Sequence, residues 1–218
     1  MTERPDSRAG AIVAFVSQKG GVGKSTLSRG LAREAAHNGL KVKIADLDIQ
    51  QGTSIFWQQR RLASGIEPRV SVENYRTAAQ ALQEANQYDL LIIDGPARAS
   101  EATREIATAA SLVVQPTQPS LDDLEPGVKV FHELVKAGIS KQKLAFAITK
   151  VLTPGEVKGA RAYLTEAGYS VLDGFIPAKT SYREAQDHGR SITETRFEGL
   201  NQSADELIQS LIDRISNG

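Results

Sequence analysis

The chain has 218 residues, of which 40% are hydrophobic and 24% charged, so it contains enough apolar material for one compact core. Lys plus Arg and Asp plus Glu each total 26, so the formal net charge is zero. The overall charge therefore gives no argument for a nucleic acid or an anionic membrane as partner. A local basic patch is still compatible with a net charge of zero. The absence of cysteine excludes disulfides, thiolate metal ligands and cysteine nucleophiles.

The N-terminal region carries no recognisable targeting signal. Residues 1–10 are polar and charged, and the apolar run after them spans only residues 11–16, whereas a membrane span needs roughly 20 apolar residues. We expect a cytoplasmic protein in which residues 1–10 form a disordered lead. No linker, repeat or low-complexity block interrupts residues 11–218, which we expect to form a single domain.

Short β-branched runs alternate with helical patterns along the whole chain. The predicted strands lie at residues 11–17, 41–45, 69–72, 89–93, 111–115, 143–149 and 171–175. The predicted helices lie at residues 24–38, 53–64, 75–86, 101–109, 121–137, 154–167, 181–188 and 202–215. This alternation predicts an α/β fold, a mostly parallel twisted sheet with helices on both faces. Ligands of such sheets bind at the carboxyl ends of the strands.

A glycine-rich segment, Gln18 to Thr26, joins the first predicted strand to the first predicted helix. Its glycines let successive backbone N–H groups turn toward one anion, and the helix N-terminus adds partial positive charge there. Lys24 can reach the β- and γ-phosphates of a nucleotide, the Ser25 hydroxyl suits Mg²⁺, and Thr26 lies near the α-phosphate. The predicted phosphate-binding set is Lys19, Gly20, Gly21, Val22, Gly23, Lys24, Ser25 and Thr26. The segment predicts a P-loop NTPase that uses ATP and Mg²⁺.

Acidic residues follow two of the predicted strands. Asp46 and Asp48 follow the second strand, and the two-residue period of a strand places both on the same face. Either could orient a metal-bound or an attacking water. Asp94 follows the apolar run 89–93, where a buried acid needs a compensating cation or hydrogen bonds.

The loop resembles that of the deviant Walker A ATPases, the group that contains ParA, MinD, MipZ and the nitrogenase iron protein. The general phosphate-loop pattern has glycine at the position of Gln18, whereas this variant adds a second lysine, Lys19. The resemblance covers residues 12–198 and implies that Lys19 crosses a nucleotide-sandwich homodimer, formed on ATP binding, to reach the other subunit's phosphates. A second cation there would offset negative charge that develops during phosphoryl transfer.

The same resemblance implies roles for the acids. The segment 46–52 is similar to the family's Asp-x-Asp-Pro-Gln-Gly, with Ile49 in place of proline and Gln50 matching. Asp48 then positions the hydrolytic water, and Asp46 supports the metal shell. The strand before Asp94 looks like a Walker B element, whose acid binds Mg²⁺ through a water, and Gly95-Pro96 suits a mobile γ-phosphate sensor. The implied catalytic set is Lys19, Lys24 and Asp48, and the implied metal set is Ser25, Asp46 and Asp94.

Further similarities concern the base and the dimer face. Thr149 and Lys150 stand where relatives flank the adenine, and Pro177 belongs to a segment that resembles their second adenine-side loop. Asp122 and Asp123 either belong to the dimer face or cap the helix that follows them.

Within the family, residues 51–54, Trp57, Arg60 and 181–192 look most like small ParA-type proteins, although Trp57 is equally compatible with core packing. MinD is the main competitor, because it acts on membranes through a basic amphipathic C-terminal helix. Here the last predicted helix contains three acidic residues and one arginine. This composition argues against binding to anionic lipid, so we predict no membrane partner. The lack of cysteine excludes the iron protein.

The ParA resemblance implies nonspecific DNA and a ParB-like centromere-binding or adaptor protein as partners, and a nucleoid-associated location. DNA binding of this kind requires a basic surface that replaces counterions along the phosphate backbone. The candidate DNA contacts are Lys158, Arg161, Lys179, Arg183 and Arg190. No helix-turn-helix segment precedes Ile12, so specific operator binding is not expected.

Two alternatives remain open. A positioner of another cargo, in division, conjugation or a carbon-fixing compartment, would use the same nucleotide switch, and the sequence does not separate it from plasmid or chromosome partition. A small-molecule ligase of the dethiobiotin-synthetase type would instead use ATP to activate a carboxylate. It would need substrate-specific polar residues in a small-molecule pocket.

Overall fold

The computed structural model describes residues 10–49, 52–95 and 101–216. The expected disordered lead therefore lies, except for Gly10, outside the described residues, as do Gln50, Gln51 and Pro96.

Strands and helices alternate as predicted. The strands are β1 (Ala11–Phe15), β2 (Val42–Asp46), β3 (Ser71–Asn74), β4 (Leu90–Asp94), β5 (Leu112–Thr117), β6 (Leu144–Val151), β7 (Ser170–Val171) and β8 (Ile176–Pro177). The α-helices are α1 (Lys24–His37), α2 (Thr53–Ala63), α3 (Ala78–Leu82), α4 (Glu101–Ala109), α5 (Leu121–Lys136), α6 (Pro154–Glu166), α7 (Thr180–Asp187) and α8 (Glu198–Ser216). Short 3₁₀ turns occur at Ala85–Gln87 and Lys141–Lys143.

The strands form one sheet in the order β3-β2-β4-β1-β5-β6-β7, with β8 beside β6, and each of these pairings is parallel. β1 lies between β4 and β5, so the chain crosses from one half of the sheet to the other around β1. A crevice forms at such a crossing point, outside the carboxyl ends of the strands. The predicted α/β fold with a parallel sheet is confirmed.

Alternating side chains of the central strands enter two separate cores, one on each face of the sheet. Val13 and Phe15 pack on the face covered by α1, α2, α7 and α8, where Leu27 and Leu31 of α1 are fully buried. Ala14 belongs instead to the opposite core, which α3 to α6 cover. Central strands that are apolar on both sides are typical of parallel sheets with two helical layers.

The C-terminal helix packs on the first of these cores. Its buried residues Leu207, Ile208 and Leu211 belong to that core, and Ile212 and Ile215 pack against it, as the apolar stripe predicted. α8 begins at Glu198, four residues before the predicted start. None of the described helices is long and apolar enough to span a membrane.

Two predicted elements are wrong in extent. The predicted helix 75–86 is reduced to α3 and a 3₁₀ turn, because the Tyr75 N–H still bonds the Asp46 carbonyl of the sheet and Thr77 caps the helix by accepting from Gln80 N. The predicted strand 171–175 is replaced by β7 and β8, which Gly174 separates with a φ of 71°. That left-handed conformation cannot continue a strand.

Candidate nucleotide-binding site

The glycine-rich segment forms the connection from β1 to α1 at the carboxyl edge of the sheet. Gly23 occupies the N-cap of α1 with a φ of 109°, a conformation that glycine adopts without a Cβ clash. The N-terminus of α1 has neither a side-chain cap nor an acid in its first turn. The first N–H groups of a helix have no partner within it, so this end is suited to an anion.

β6 fixes the position of this loop. The Thr149 hydroxyl, which belongs to a residue only 3% exposed, donates to the carbonyl of Val22 at 2.7 Å. Val22 itself is buried, so it contributes to the loop through its backbone and its packing rather than as an exposed ligand. Thr149 thus connects the predicted base side of the site to the predicted phosphate side.

The ammonium of Lys24 is largely enclosed, with only 8% of the residue exposed. Burial lowers the pKa of Lys24, and the carboxylates of Asp94, Asp48 and Asp46 oppose that shift, in that order of strength. The charges of the three acids that the sequence placed at the strand ends therefore act on the second lysine of the loop. When a nucleotide binds, the Lys24 ammonium can exchange the carboxylates for the phosphate groups.

Asp46 and Asp94 lie side by side because they are register partners at the ends of β2 and β4. Burial, and then the charge of Asp46, raise the pKa of Asp94 to about 6, while the Ser25 hydroxyl and two nearby cations oppose the rise. Burial likewise raises the pKa of Asp46, which accepts hydrogen bonds from the backbone N–H groups of Asp48 at 2.9 Å and Ser54 at 3.2 Å. Asp46 thereby holds the chain that follows β2.

The face prediction for Asp46 and Asp48 rested on a strand that continues past Asp46. β2 ends at Asp46 instead, and Asp48 lies half-buried in a turn in which its carbonyl accepts from Gly52 N at 2.9 Å. The two-residue period therefore does not apply to this pair. Ile49, which stands where the family motif has proline, is 48% exposed.

These side chains fit a magnesium ion. Mg²⁺ is held in proteins by hard oxygen ligands, usually one or two carboxylates together with substrate phosphates and waters. Asp94 and the hydroxyl of Ser25 lie together at the start of α1. In the ranges 10–49, 52–95 and 101–216, no three His, Cys, Asp or Glu side chains converge as a ligand set of their own. A site of this composition is completed by phosphate oxygens.

A cavity of about 710 Å³ opens above the loop. Most of the predicted set lines it, namely Gly20, Gly21, Gly23, Lys24, Ser25, Thr26, Asp48, Asp94, Thr149, Lys150 and Pro177. Lys150 has a φ of 54°, rare for a residue with a Cβ, and its ammonium lies over Gly21. The predicted base-side residues and the predicted phosphate-side residues thus border one cavity.

Lys19 does not line that cavity. Its ammonium lies 3.1 Å from Asp123 Oδ1 in the first turn of α5, and its side chain is 42% exposed. The other Asp123 oxygen accepts from the Ser120 hydroxyl, the N-cap residue of the same helix, at 2.7 Å. Asp123 therefore contacts both the phosphate loop and the start of α5, whereas Asp122 is exposed.

The five candidate DNA contacts do not form one surface. Lys179 and Arg183 line the rim of the cavity at the start of α7, and Arg190 is exposed beyond the end of that helix. Lys158 is exposed on α6. Arg161, also on α6, donates to the carbonyls of Leu172 and Gly174 at 2.7 and 2.9 Å, which gives it a structural contact.

Sequence reasoning assigned no site role to three polar residues, of which Ser54 and Arg60 were noted only as family similarities. Arg29 and Arg60 line the cavity, and Ser54 is fully buried beneath it. The signal for Arg29 was available, because it follows Ser25 by four residues and therefore shares its face of α1. Trp57 is a core residue whose indole N–H donates to the Arg190 carbonyl at 2.8 Å.

The parallel sheet, the glycine loop after β1 and the acids beside it define a nucleotide-binding domain of the P-loop class. Residues 13–192 match the family described as the CobQ/CobB/MinD/ParA nucleotide binding domain, so the chain belongs to that family. This confirms the resemblance to ParA and MinD ATPases.

Comparisons with individual proteins agree with this membership. The chain is 29% identical over 194 residues to the maintenance of carboxysome distribution protein A of Gloeobacter kilaueensis, covering 88% of each chain. It is 23% identical over 203 residues to the protein ParA of Rhizobium radiobacter, covering 88% of this chain and 90% of that one. Its fold matches the septum site-determining protein MinD of Pyrococcus horikoshii with a TM-score of 0.72 at 18% identity, over 93% of this chain and 96% of that one. That MinD was solved with Mg-ADP, which agrees with the prediction of ATP and Mg²⁺.

Proposed function

We propose that the chain is an ATPase that dimerises on binding Mg-ATP and positions or segregates a cargo on nonspecific DNA. The proposal rests on the different positions of the two lysines of the loop relative to the cavity. Lys24 is enclosed at the base of the cavity, whereas Lys19 lies outside it and pairs with Asp123. A lysine placed in this way is available to a nucleotide held by a second protomer.

The residues of the cavity support defined roles in such an enzyme. Lys24 would move from its acid neighbours onto the β- and γ-phosphates, and the Ser25 hydroxyl and Asp94 would hold the metal, which neutralises phosphate charge when bound. Asp46 would keep the turn after β2 in place through its two backbone hydrogen bonds. Asp48, in that turn, would orient the attacking water. Phosphoryl transfer of this kind depends mainly on positioning, so we expect slow basal turnover.

Thr149, Lys150 and Pro177 border the same cavity and would flank the adenine. DNA would be held by basic side chains near α7, for which Lys179, Arg183 and Arg190 are the stronger candidates because they are exposed and lie on or next to one helix. Lys158 remains a candidate on α6, and Arg161 is a candidate that already has two backbone partners. Dimerisation would double the number of cations near α7 that face the DNA, which favours the release of counterions from DNA.

The first test is the oligomeric state. Sedimentation velocity should give a monomer without nucleotide and a dimer with Mg²⁺ and a non-hydrolysable ATP analogue. Lys19→Ala should bind the nucleotide as a monomer, whereas Lys136→Ala, at the end of α5, should dimerise normally. A wild-type protein that remains monomeric when saturated with Mg-ATP would sink the proposal.

The second test is DNA binding. Fluorescence anisotropy with a duplex of arbitrary sequence should show binding with ATP and Mg²⁺ and little binding with ADP. Arg190→Ala, at an exposed position that does not line the cavity, should leave nucleotide affinity unchanged and make log K less dependent on log salt. The slope should decrease by about 0.9 for every DNA phosphate that the variant no longer neutralises. Equally strong binding without nucleotide would contradict an ATP-controlled switch.

The cargo and the partner require a separate experiment. The relatives include proteins named for carboxysome distribution and for ParA, which support positioning of either a compartment or DNA. A ParB-like protein or an adaptor encoded nearby should raise ATP turnover when added together with DNA. A small-molecule ligase would instead turn over ATP with a carboxylate substrate and respond to neither partner.

A further inference from the structure

Arg29 is a buried arginine to which the proposed function assigns no role. It lies on α1 one turn after Ser25, and only 7% of the residue is exposed. Buried arginines are rare unless they are paired. The partners of Arg29 therefore indicate why an arginine stands at this position.

One side of the Arg29 guanidinium faces the predicted metal acids. Its Nε–H donates to Ser54 Oγ at 3.3 Å, and the Ser54 hydroxyl in turn donates to Asp94 Oδ2 at 3.3 Å. A hydroxyl has one hydrogen to donate, so accepting from Arg29 leaves that hydrogen for the carboxylate. The backbone N–H of Ser54 donates to Asp46 at 3.2 Å, so this one serine contacts both acids.

The other side of the guanidinium faces α7. Arg29 Nη1 donates to Gln186 Oε1 at 3.0 Å, and Gln186 Nε2 donates to the Tyr182 carbonyl one turn earlier at 3.3 Å. A continuous series of hydrogen bonds therefore joins Asp94 to α7 through Ser54, Arg29 and Gln186. The helix it reaches also carries Arg183 at the cavity rim.

The charge of Arg29 suits it to respond to a metal. Burial lowers its pKa to about 10, and the carboxylates of Asp94 and Asp46 oppose that shift, so the side chain is cationic at neutral pH. In the absence of a divalent ion, Arg29 and Lys24 are the cations that act on Asp94. A metal bound at Asp94 would compete with Arg29 for the same negative charge.

We propose that Arg29 is a positioning residue that orients Ser54 and Asp94 for the metal and, through Gln186, transmits metal binding to α7. The inference rests on the proposed function, because it requires Mg-nucleotide in this cavity. It adds a route by which the metal site alters the helix that carries the candidate DNA contacts.

Hydrogen exchange of α7 separates the metal from the nucleotide. The protein is saturated with ADP in EDTA, exchange of residues 180–187 is measured by mass spectrometry, and Mg²⁺ is then added. In the wild type we expect the exchange rate of these amides to change by about threefold or more on Mg²⁺ addition. With ADP kept saturating, Gln186→Leu should lose this response, whereas Glu184→Leu, which introduces the same side chain at an exposed position of α7, should keep it.

A second experiment tests the positioning role at constant charge. Arg29→Lys retains the cation but cannot contact Ser54 and Gln186 together, so the apparent Mg²⁺ affinity of the ADP complex should fall by about tenfold, as for other residues that orient metal ligands. The readout is the emission of Trp57, the only tryptophan, whose ring centre lies 5.9 Å from the Arg29 guanidinium carbon. Arg33→Lys, one turn further along α1, is the matched control, and thermal melting verifies that each variant is folded.

The outcomes are distinct. An undiminished α7 response in Gln186→Leu, no response in the wild type, or wild-type Mg²⁺ affinity in Arg29→Lys would each overturn the inference. A wild-type protein that does not bind Mg-nucleotide would instead contradict the proposed function.

Discussion

The ammonium of Lys19 lies 3.1 Å from the carboxylate of Asp123, so the first lysine of the phosphate loop is ion-paired to α5 of its own chain. The Lys19 side chain is 42% exposed and that of Asp123 is 11% exposed, and ion pairs of such exposure contribute only about 0–1 kcal/mol to stability. The pair is therefore weak enough to be exchanged for another anion. In the proposed dimer, that anion is a phosphate of the partner's nucleotide.

Replacing Asp123 should favour dimerisation. Asp123→Asn removes the competing carboxylate while preserving side-chain size, so we expect the ATP-dependent dimer to be several-fold tighter and the free energy of unfolding to change by less than about 1 kcal/mol. Sedimentation velocity over a range of protein concentrations measures the first, and urea unfolding the second. Asp122→Asn, the exposed neighbour, is the control. A weaker dimer in Asp123→Asn would mean that Asp123 helps dimerisation rather than competing with it.

Removal of Lys24 should greatly weaken nucleotide binding. Its ammonium would donate to two phosphates, and each charge-assisted hydrogen bond is worth about 1.5–3 kcal/mol, so Lys24→Ala should reduce ATP affinity by about 100-fold or more. Isothermal titration calorimetry measures the loss, with Lys136→Ala as the control. ATP affinity close to that of the wild type would show that the loop binds phosphate through its backbone alone.

Asp48→Ala should separate binding from hydrolysis. The backbone groups of residue 48, which bond Asp46 and Gly52, remain in the variant, so the turn is preserved. We expect ATP affinity within a few-fold of the wild type and a kcat reduced by about 100-fold or more, because the water loses its orienting carboxylate. The dimer should then persist on ATP. Normal hydrolysis by this variant, measured as phosphate release, would remove Asp48 from the mechanism.

Asp94 should make the metal-free protein less stable as pH rises. Its pKa increases from 3.8 to about 6 on folding, so between these values the folded state binds more protons than the unfolded state and stability falls with rising pH. At about 1.4 kcal/mol per pKa unit, the effect amounts to about 3 kcal/mol above pH 6. Asp94→Asn should therefore be more stable than the wild type in EDTA at pH 7.5, with the difference disappearing near pH 4.

Thermal unfolding at both pH values tests this prediction, with an expected increase in Tm of roughly 5–10 °C for Asp94→Asn at pH 7.5. The same variant should lose the effect of Mg²⁺ on nucleotide binding. A Tm at pH 7.5 equal to or below that of the wild type would mean that the Asp94 carboxylate is already balanced by Lys24 and Arg29.

The elements that sequence patterns predicted well are those with strong local causes. The apolar runs before Lys19 and Asp94 became adjacent strands, and the glycine loop became the β1–α1 connection, because a buried parallel strand and a glycine turn are encoded by the residues that form them. The helix predicted at residues 75–86 was wrong for the opposite reason. Their helical periodicity was overridden by Tyr75, which the sheet engages, and the helix shortened accordingly.

The amino-acid sequence by itself determined the class of fold, the phosphate loop and the acids at the strand ends, since each depends on residues close together in the chain. Only the tertiary structure decided which charges meet. It joined Lys19 to Asp123 across 104 positions and connected Arg29 to Ser54 and Gln186, residues 25 and 157 positions away. Such pairings follow from the strand order and from the helices packed around β1. No local periodicity records them, because side chains distant in sequence interact only once the sheet has brought them together.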